Sequence, residues 1–84
     1  MRLDFVYGNK QKKHLVESDF ADDVYDVMIS FFEDHNAFPH VLTLDIWENA
    51  ALIGMPNTPE HFRIEGIEED QVCELKELIA NYTR

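Results

Sequence analysis

The segment Ser18–His35, SDFADDVYDVMISFFEDH, constrains the fold more than any other part of the chain. At 100° per residue its apolar side chains fill a broad arc, and its acidic side chains gather opposite them within roughly 120°. No lysine or arginine interrupts the acidic side. The acidic positions are Asp19, Asp22, Asp23, Asp26, Glu33 and Asp34. The pattern predicts one amphipathic helix that is covered on two sides and turns a row of carboxylates to solvent.

Both ends of this helix carry recognisable signals. Ser18 or Asp19 can serve as the N-cap, and acids in the first turn suit the helix dipole. At the other end Asn36 can adopt the left-handed conformation, and Pro39 cannot continue a helix because it lacks a backbone donor. We therefore expect the helix to occupy residues 18–35.

The rest of the chain is predicted to form short strands and one further helix. Alternating apolar positions predict strands, and a stripe through Val72, Leu75, Leu78, Ile79 and Tyr82 predicts a last helix from about residue 67 or 68 to 82. The predicted strands are Arg2–Tyr7, Lys12–Glu17, His40–Trp47, Ala50–Met55 and His61–Glu65. The order ββαβββα predicts an α+β fold, an antiparallel sheet with two helices packed on one face.

Length and charge limit the classes of function. The 84 residues predict a single small acidic domain, 1–84, and the formal net charge of −10 argues against nucleic acid or an anionic membrane as a direct ligand. One cysteine excludes an internal disulfide, and no apolar run approaches the length of a membrane span. The chain also opens without a signal-peptide pattern, so we expect a cytoplasmic protein.

The charge is unevenly distributed along the chain. Residues 1–16 hold four of the seven basic side chains and one of the seventeen acidic ones, so they carry +3 and the remainder carries −13. Lysines at a hairpin tip commonly protect a sheet edge from pairing. A functional basic tip is the alternative interpretation.

From Ser18 onward the order α-β-β-β-α is similar to that of double-stranded RNA-binding domains. The likeness is one of topology. Those domains grip phosphates with a basic start to the last helix, and here that place reads Glu68-Glu69-Asp70, which would repel RNA.

Catalytic and metal-binding patterns are weak. The histidines at 14, 35, 40 and 61 form no HExxH pair, and Cys73 has no CxxC partner. A metal site near the helix end could form from Asp34, His35 and His40. His35, however, is better interpreted as a packed histidine than as a metal ligand. We expect no enzyme, no metal and no cofactor, and an enzyme using Cys73 or a His/Asp pair is the least favoured hypothesis.

The acidic row suggests a binding function. Its carboxylates give one charge per roughly 4 Å of helix, close to the 3.4 Å of a single DNA strand. The first hypothesis is a small inhibitor or nucleic-acid mimic whose acidic row docks on a basic protein such as a nuclease, a toxin or a defence effector. Its size and charge are similar to those of inhibitors from phages and mobile elements, and such an origin would fit this hypothesis. The alternative is an assembly subunit or homodimer that uses an outward face with Val41, Thr43 and Trp47, the acids serving only solubility.

Overall fold

A computed structural model describes residues 1–82 and shows five strands and two helices in the order ββαβββα. The elements are β1 (Arg2–Val6), β2 (Lys12–Glu17), α1 (Ala21–Asp34), β3 (Thr43–Trp47), β4 (Ala50–Gly54), β5 (His61–Glu65) and α2 (Glu69–Ala80). The predicted α+β fold and its element order are confirmed.

The strands form one sheet in the order β2-β1-β5-β4-β3, and every neighbouring pair is antiparallel. The last strand, β5, lies at the centre between β1 and β4. The chain leaves the sheet at one edge after β2 and rejoins it at the other edge as β3. Helix α1 makes this connection.

The core lies between the sheet and the helices. The sheet contributes inward side chains such as Leu3, Phe62 and Ile64, which are fully buried. Helix α1 buries Ala21, Val24, Met28 and Phe32, and α2 buries Leu75. The opposite face of the sheet carries no helix from the described part of the chain. This asymmetry leaves the outer sides of both helices open to solvent.

Helix α1 begins later than its sequence predicts. Its N-cap is Phe20, which makes no side-chain cap hydrogen bond, so the predicted caps Ser18 and Asp19 are wrong. The Ser18 hydroxyl instead accepts the Phe20 N–H at 3.1 Å and donates to Asp23 at 2.7 Å. This local turn competes with helix formation and delays the first helical residue to Ala21. The end is as expected, since Asn36 has a φ of 49°.

Helix α2 has the cap that α1 lacks. The Gln71 side chain accepts the Glu68 N–H at 2.8 Å, and the Glu68 side chain accepts the N–H of Gln71. The Gln71 amide also donates to the backbone oxygen of Asp19 at 2.8 Å. This bond ties the segment before α1 to the first turn of α2, so the two helices start side by side.

Strand β3 is shorter than predicted because its partner strand ends. Thr43 pairs with Gly54, the last residue of β4, and Pro56 soon turns the chain away. Residues 40–42 therefore have no strand to pair with. The predicted alternation nevertheless holds along β3, where Leu44 and Ile46 are half-buried and their neighbours are exposed.

The helix-free face holds a buried acid that sequence reasoning missed. Asp4 is 2% exposed, accepts a hydrogen bond from Arg2 Nε at 3.1 Å and lies 3.4 Å from His14 Nδ1. A register shift between β1 and β2 pairs Leu3 with Val16 and then Asp4 with His14. The bulge therefore places His14 directly opposite the carboxylate.

Candidate functional site

The acidic face of the molecule consists of the six carboxylates predicted from sequence, and all six are exposed. Asp22, Asp23, Asp26, Glu33 and Asp34 lie on α1, and Asp19 lies just before it. The expectation that one helix carries all six is wrong for Asp19, because the Ser18 turn delays the helix start. Its backbone is nevertheless fixed by the bond from Gln71, so it stays beside the first turn of α1.

The carboxylates on α1 form two groups. Asp22, Asp23 and Asp26 occupy the first half of the helix, and Glu33 and Asp34 end it. Asp26 and Glu33 are seven residue steps apart, which corresponds to about 10 Å of helix. The charge is therefore concentrated at the two ends of α1, which departs from the even spacing of a nucleic-acid strand.

The cations of residues 1–82 form no ion pair with the acidic face. Within residues 1–82 the ion pairs are Arg2–Asp4, His14–Asp4 and Arg63–Glu65, all on the sheet. None of them involves the acidic face. The lysines of residues 10–13 belong to the β1–β2 hairpin and the start of β2. Among residues 1–82, the Ser18 hydroxyl donates a hydrogen bond to one of these carboxylates, that of Asp23.

The second helix enlarges the acidic surface. An open interhelical groove of about 500 Å³ is lined by Phe20, Asp22, Glu74, Glu77, Leu78 and Asn81. The sequence did not predict this groove or a role for Glu74 and Glu77. The sequence of each helix indicates its polar side. It does not indicate which polar residues of the two helices face each other, because that depends on how the helices pack.

An exposed aromatic ring borders this groove. Phe20 is 67% exposed, more than any other large hydrophobic side chain of the described residues. The sequence predicted it on the covered side of the helix. Because the helix begins only at Ala21, Phe20 is the N-cap and its ring escapes the core. The groove thus combines carboxylates with an accessible apolar group.

The alternative oligomer face is also exposed. Val41 is 56% exposed, Trp47 is 53% exposed, and Thr43 is exposed as well. Thr43 and Trp47 lie on β3, an edge strand, and Val41 lies just before it. The structure therefore brings these three residues to one edge of the sheet.

The residues of the enzyme hypothesis are dispersed. Cys73 is a free, exposed cysteine on α2. The ring of His35 stacks on Phe31 at a centroid distance of 4.1 Å, and its Nδ1 lies 2.9 Å from the Phe31 carbonyl oxygen. In residues 1–82 no three His, Cys, Asp or Glu side chains gather to hold a metal ion. Over the same residues, neither helix has the length and apolar character needed to cross a bilayer.

Comparison with known proteins returns no match to a protein-family model, to a curated protein or to a solved structure.

Proposed function

We propose that this protein is a small cytoplasmic binding module whose acidic face docks on a basic surface of another protein. Partners of this chemistry include nucleases, toxins and defence effectors. The module would act on them as an inhibitor or nucleic-acid mimic that occupies the basic surface through its total charge, without the even charge spacing of a strand. The observation that supports the proposal most strongly is the absence of any ion pair at the six exposed carboxylates within residues 1–82.

Leaving these acids unpaired has an energetic cost. Asp22 and Asp26 are i,i+4 neighbours on α1, and Asp23 and Asp26 are i,i+3 neighbours. Each like-charge pair is unfavourable by about 0.2–0.5 kcal/mol. A lysine at position 26 would remove both repulsions and keep the helix soluble. A basic partner would remove the same repulsion on binding, which gives the arrangement a function.

The interhelical groove extends the proposed contact surface. Glu74 and Glu77 add charge beside Asp22, and Phe20 offers an apolar group at the same place. Interfaces gain most of their affinity from a few well-packed side chains, aromatic ones prominent among them. We therefore include Phe20 in the surface, and we expect the carboxylates to steer association and Phe20 to slow dissociation.

Capture from a lysate of the source organism tests this proposal. Wild-type protein should retain a basic protein at low salt and release it at high salt. Duplex DNA should also release it, because the DNA would compete for the basic surface of the partner. The variant D22K/D23K/D26K should lose that protein. The control E17K/D45K/E48K changes the net charge equally at exposed sites outside both helices and should retain it.

Retention of the same protein by D22K/D23K/D26K would refute the acidic face as the binding surface. Equal loss in both triple variants would refute it too, because total charge rather than location would then decide binding. Replacement of Phe20 by Ala should weaken capture without loss of stability, since the ring is already exposed.

A second candidate function is self-assembly through β3, supported by the exposed Trp47 and Val41 at the sheet edge. Sedimentation equilibrium distinguishes the two. The binding module should sediment as a 9.9 kDa monomer. A dimer that Trp47→Lys dissociates would favour assembly, since a two-fold interface places each substitution in contact with the partner copy.

A further inference from the structure

An aromatic cavity of about 420 Å³ opens where the end of α1 meets β1 and the β4–β5 loop. Its lining includes Phe5, Tyr7, Phe31, Phe32, His35 and Glu60. The volume lies within the roughly 300–1,000 Å³ of typical ligand sites, which combine apolar walls with a few polar groups. The acidic face does not use this cavity.

The walls of the cavity are packed aromatic rings. The ring of Phe5 lies 4.4 Å from Phe31 and 4.9 Å from Tyr7, measured between centroids. Phe32 contacts Phe62 below them at 5.5 Å. Because these rings hold one another, the wall is preformed. Aromatic rings attract cations placed over their faces within about 6 Å.

The negative charge near the cavity comes from its own wall and from the end of α1. Glu60 is half-buried on its wall and forms no ion pair with residues 1–82. Glu33 and Asp34 end α1 beside the cavity, and no basic residue occupies that last turn. The helix C-terminus adds its own partial negative charge. His35 directs Nδ1 to the carbonyl oxygen of Phe31.

We propose that this cavity accepts an arginine side chain of the basic partner, an inference that rests on the proposed function. The apolar stem of arginine suits the aromatic wall, and its planar guanidinium can stack on a ring and donate to the Glu60 carboxylate. The acidic face then supplies attraction over distance, and the cavity supplies one oriented contact. On the other side of the cavity the backbone of the β1–β2 hairpin brings Lys10, Lys12 and Lys13 close to Tyr7 and Phe5, but none of these lysines lines the cavity.

Titration of the full chain with the peptide acetyl-Gly-Arg-Gly-amide, followed by amide chemical shifts, tests this inference. The shifts should concentrate at Tyr7, Phe31 and Glu60. The matching citrulline peptide, which has the same shape without the charge, should not produce them. Glu60→Gln should weaken arginine binding about fivefold. The control Glu48→Gln, at an exposed turn position, should leave it unchanged.

The variant D22K/D23K/D26K separates this inference from the proposed function. Asp26, the nearest of the three substituted residues, lies about 13 Å along α1 from His35, beyond the roughly 8 Å screening length at physiological salt, so the variant should still bind the arginine peptide. Three results would overturn only the inference that the cavity binds arginine. These are equal binding of the citrulline peptide, no effect of Glu60→Gln, or chemical-shift changes confined to residues 19–26. If the peptide binds at the cavity but D22K/D23K/D26K still captures the basic protein from the lysate, the proposed function alone is overturned.

Discussion

At the scale of single residues, Asp4 shows how the sheet stabilises a buried charge. It is 2% exposed, yet its carboxylate contacts Arg2 and His14, and no buried side-chain nitrogen or oxygen of the described residues lacks a partner. Removing a charge from water is costly unless it is paired. The partly exposed Arg2 and His14 offset that cost while keeping contact with solvent.

Replacement of Asp4 by Ala should therefore destabilise the fold. The charge-assisted hydrogen bond from Arg2 is lost and the Arg2 guanidinium is left without its carboxylate partner, so we expect the free energy of unfolding to fall by about 1.5–3 kcal/mol. Urea denaturation measures this change. Asp45→Ala, an exposed site on β3, should change stability by less than about 0.5 kcal/mol. Equal stability of the two variants would contradict a structural role for Asp4.

The burial of Asp4 could not be predicted from its own strand. Alternation placed it on the side away from Leu3 and Phe5, which is correct, and an acid there is ordinarily exposed. Its burial depends on His14 from β2 and on Arg63, which lies directly opposite on β5. These neighbours come from distant positions, and the bulge that aligns His14 has no local signal.

At the scale of elements, α1 was largely predictable. The apolar positions Ala21, Val24, Met28 and Phe32 are buried as the 3.6-residue period requires, and the end at Asn36 follows from its left-handed conformation. Its start was not predictable, because Ser18 can either cap a helix or form a turn. Tertiary contacts, including the bond from Gln71 to Asp19, favour the turn.

The like-charge pairs on α1 lead to a testable prediction about the stability of the protein. Asp26→Lys removes repulsion with Asp22 and Asp23 and adds a favourable i,i+4 pair with Asp22, so the free energy of unfolding should rise by about 1 kcal/mol at low salt. Asp26→Asn should give about half of that gain. Thermal unfolding at two salt concentrations measures both.

The gain from Asp26→Lys should shrink at high salt, because screening weakens exposed charge pairs. A variant that is no more stable than wild type at low salt would show that Asp26 already has a favourable environment. The claim that these acids are retained at a cost to stability would then be wrong.

At the scale of the whole molecule, opposite charges are placed on different parts. Lys10, Lys12 and Lys13 lie on the β1–β2 hairpin, and carboxylates cover the outer sides of α1 and α2. The sequence predicted this separation along the chain. It could not predict the interhelical groove or the aromatic cavity, because both form between elements that are distant in sequence.

This separation governs how the molecule would meet a partner. A basic surface is attracted to the helical side and repelled by the hairpin, so association should be oriented as well as accelerated. Electrostatic steering of this kind raises association rates by about 10- to 1,000-fold at low salt.

The most direct test of the acidic face is the association rate with the captured partner, measured by stopped flow across a range of salt concentrations. Wild type and E17K/D45K/E48K should associate fast at low salt and slow steeply as salt increases. D22K/D23K/D26K should associate slowly and show little dependence on salt. The same steep dependence in all three proteins would contradict the proposal that the carboxylates of α1 are the surface the partner recognises.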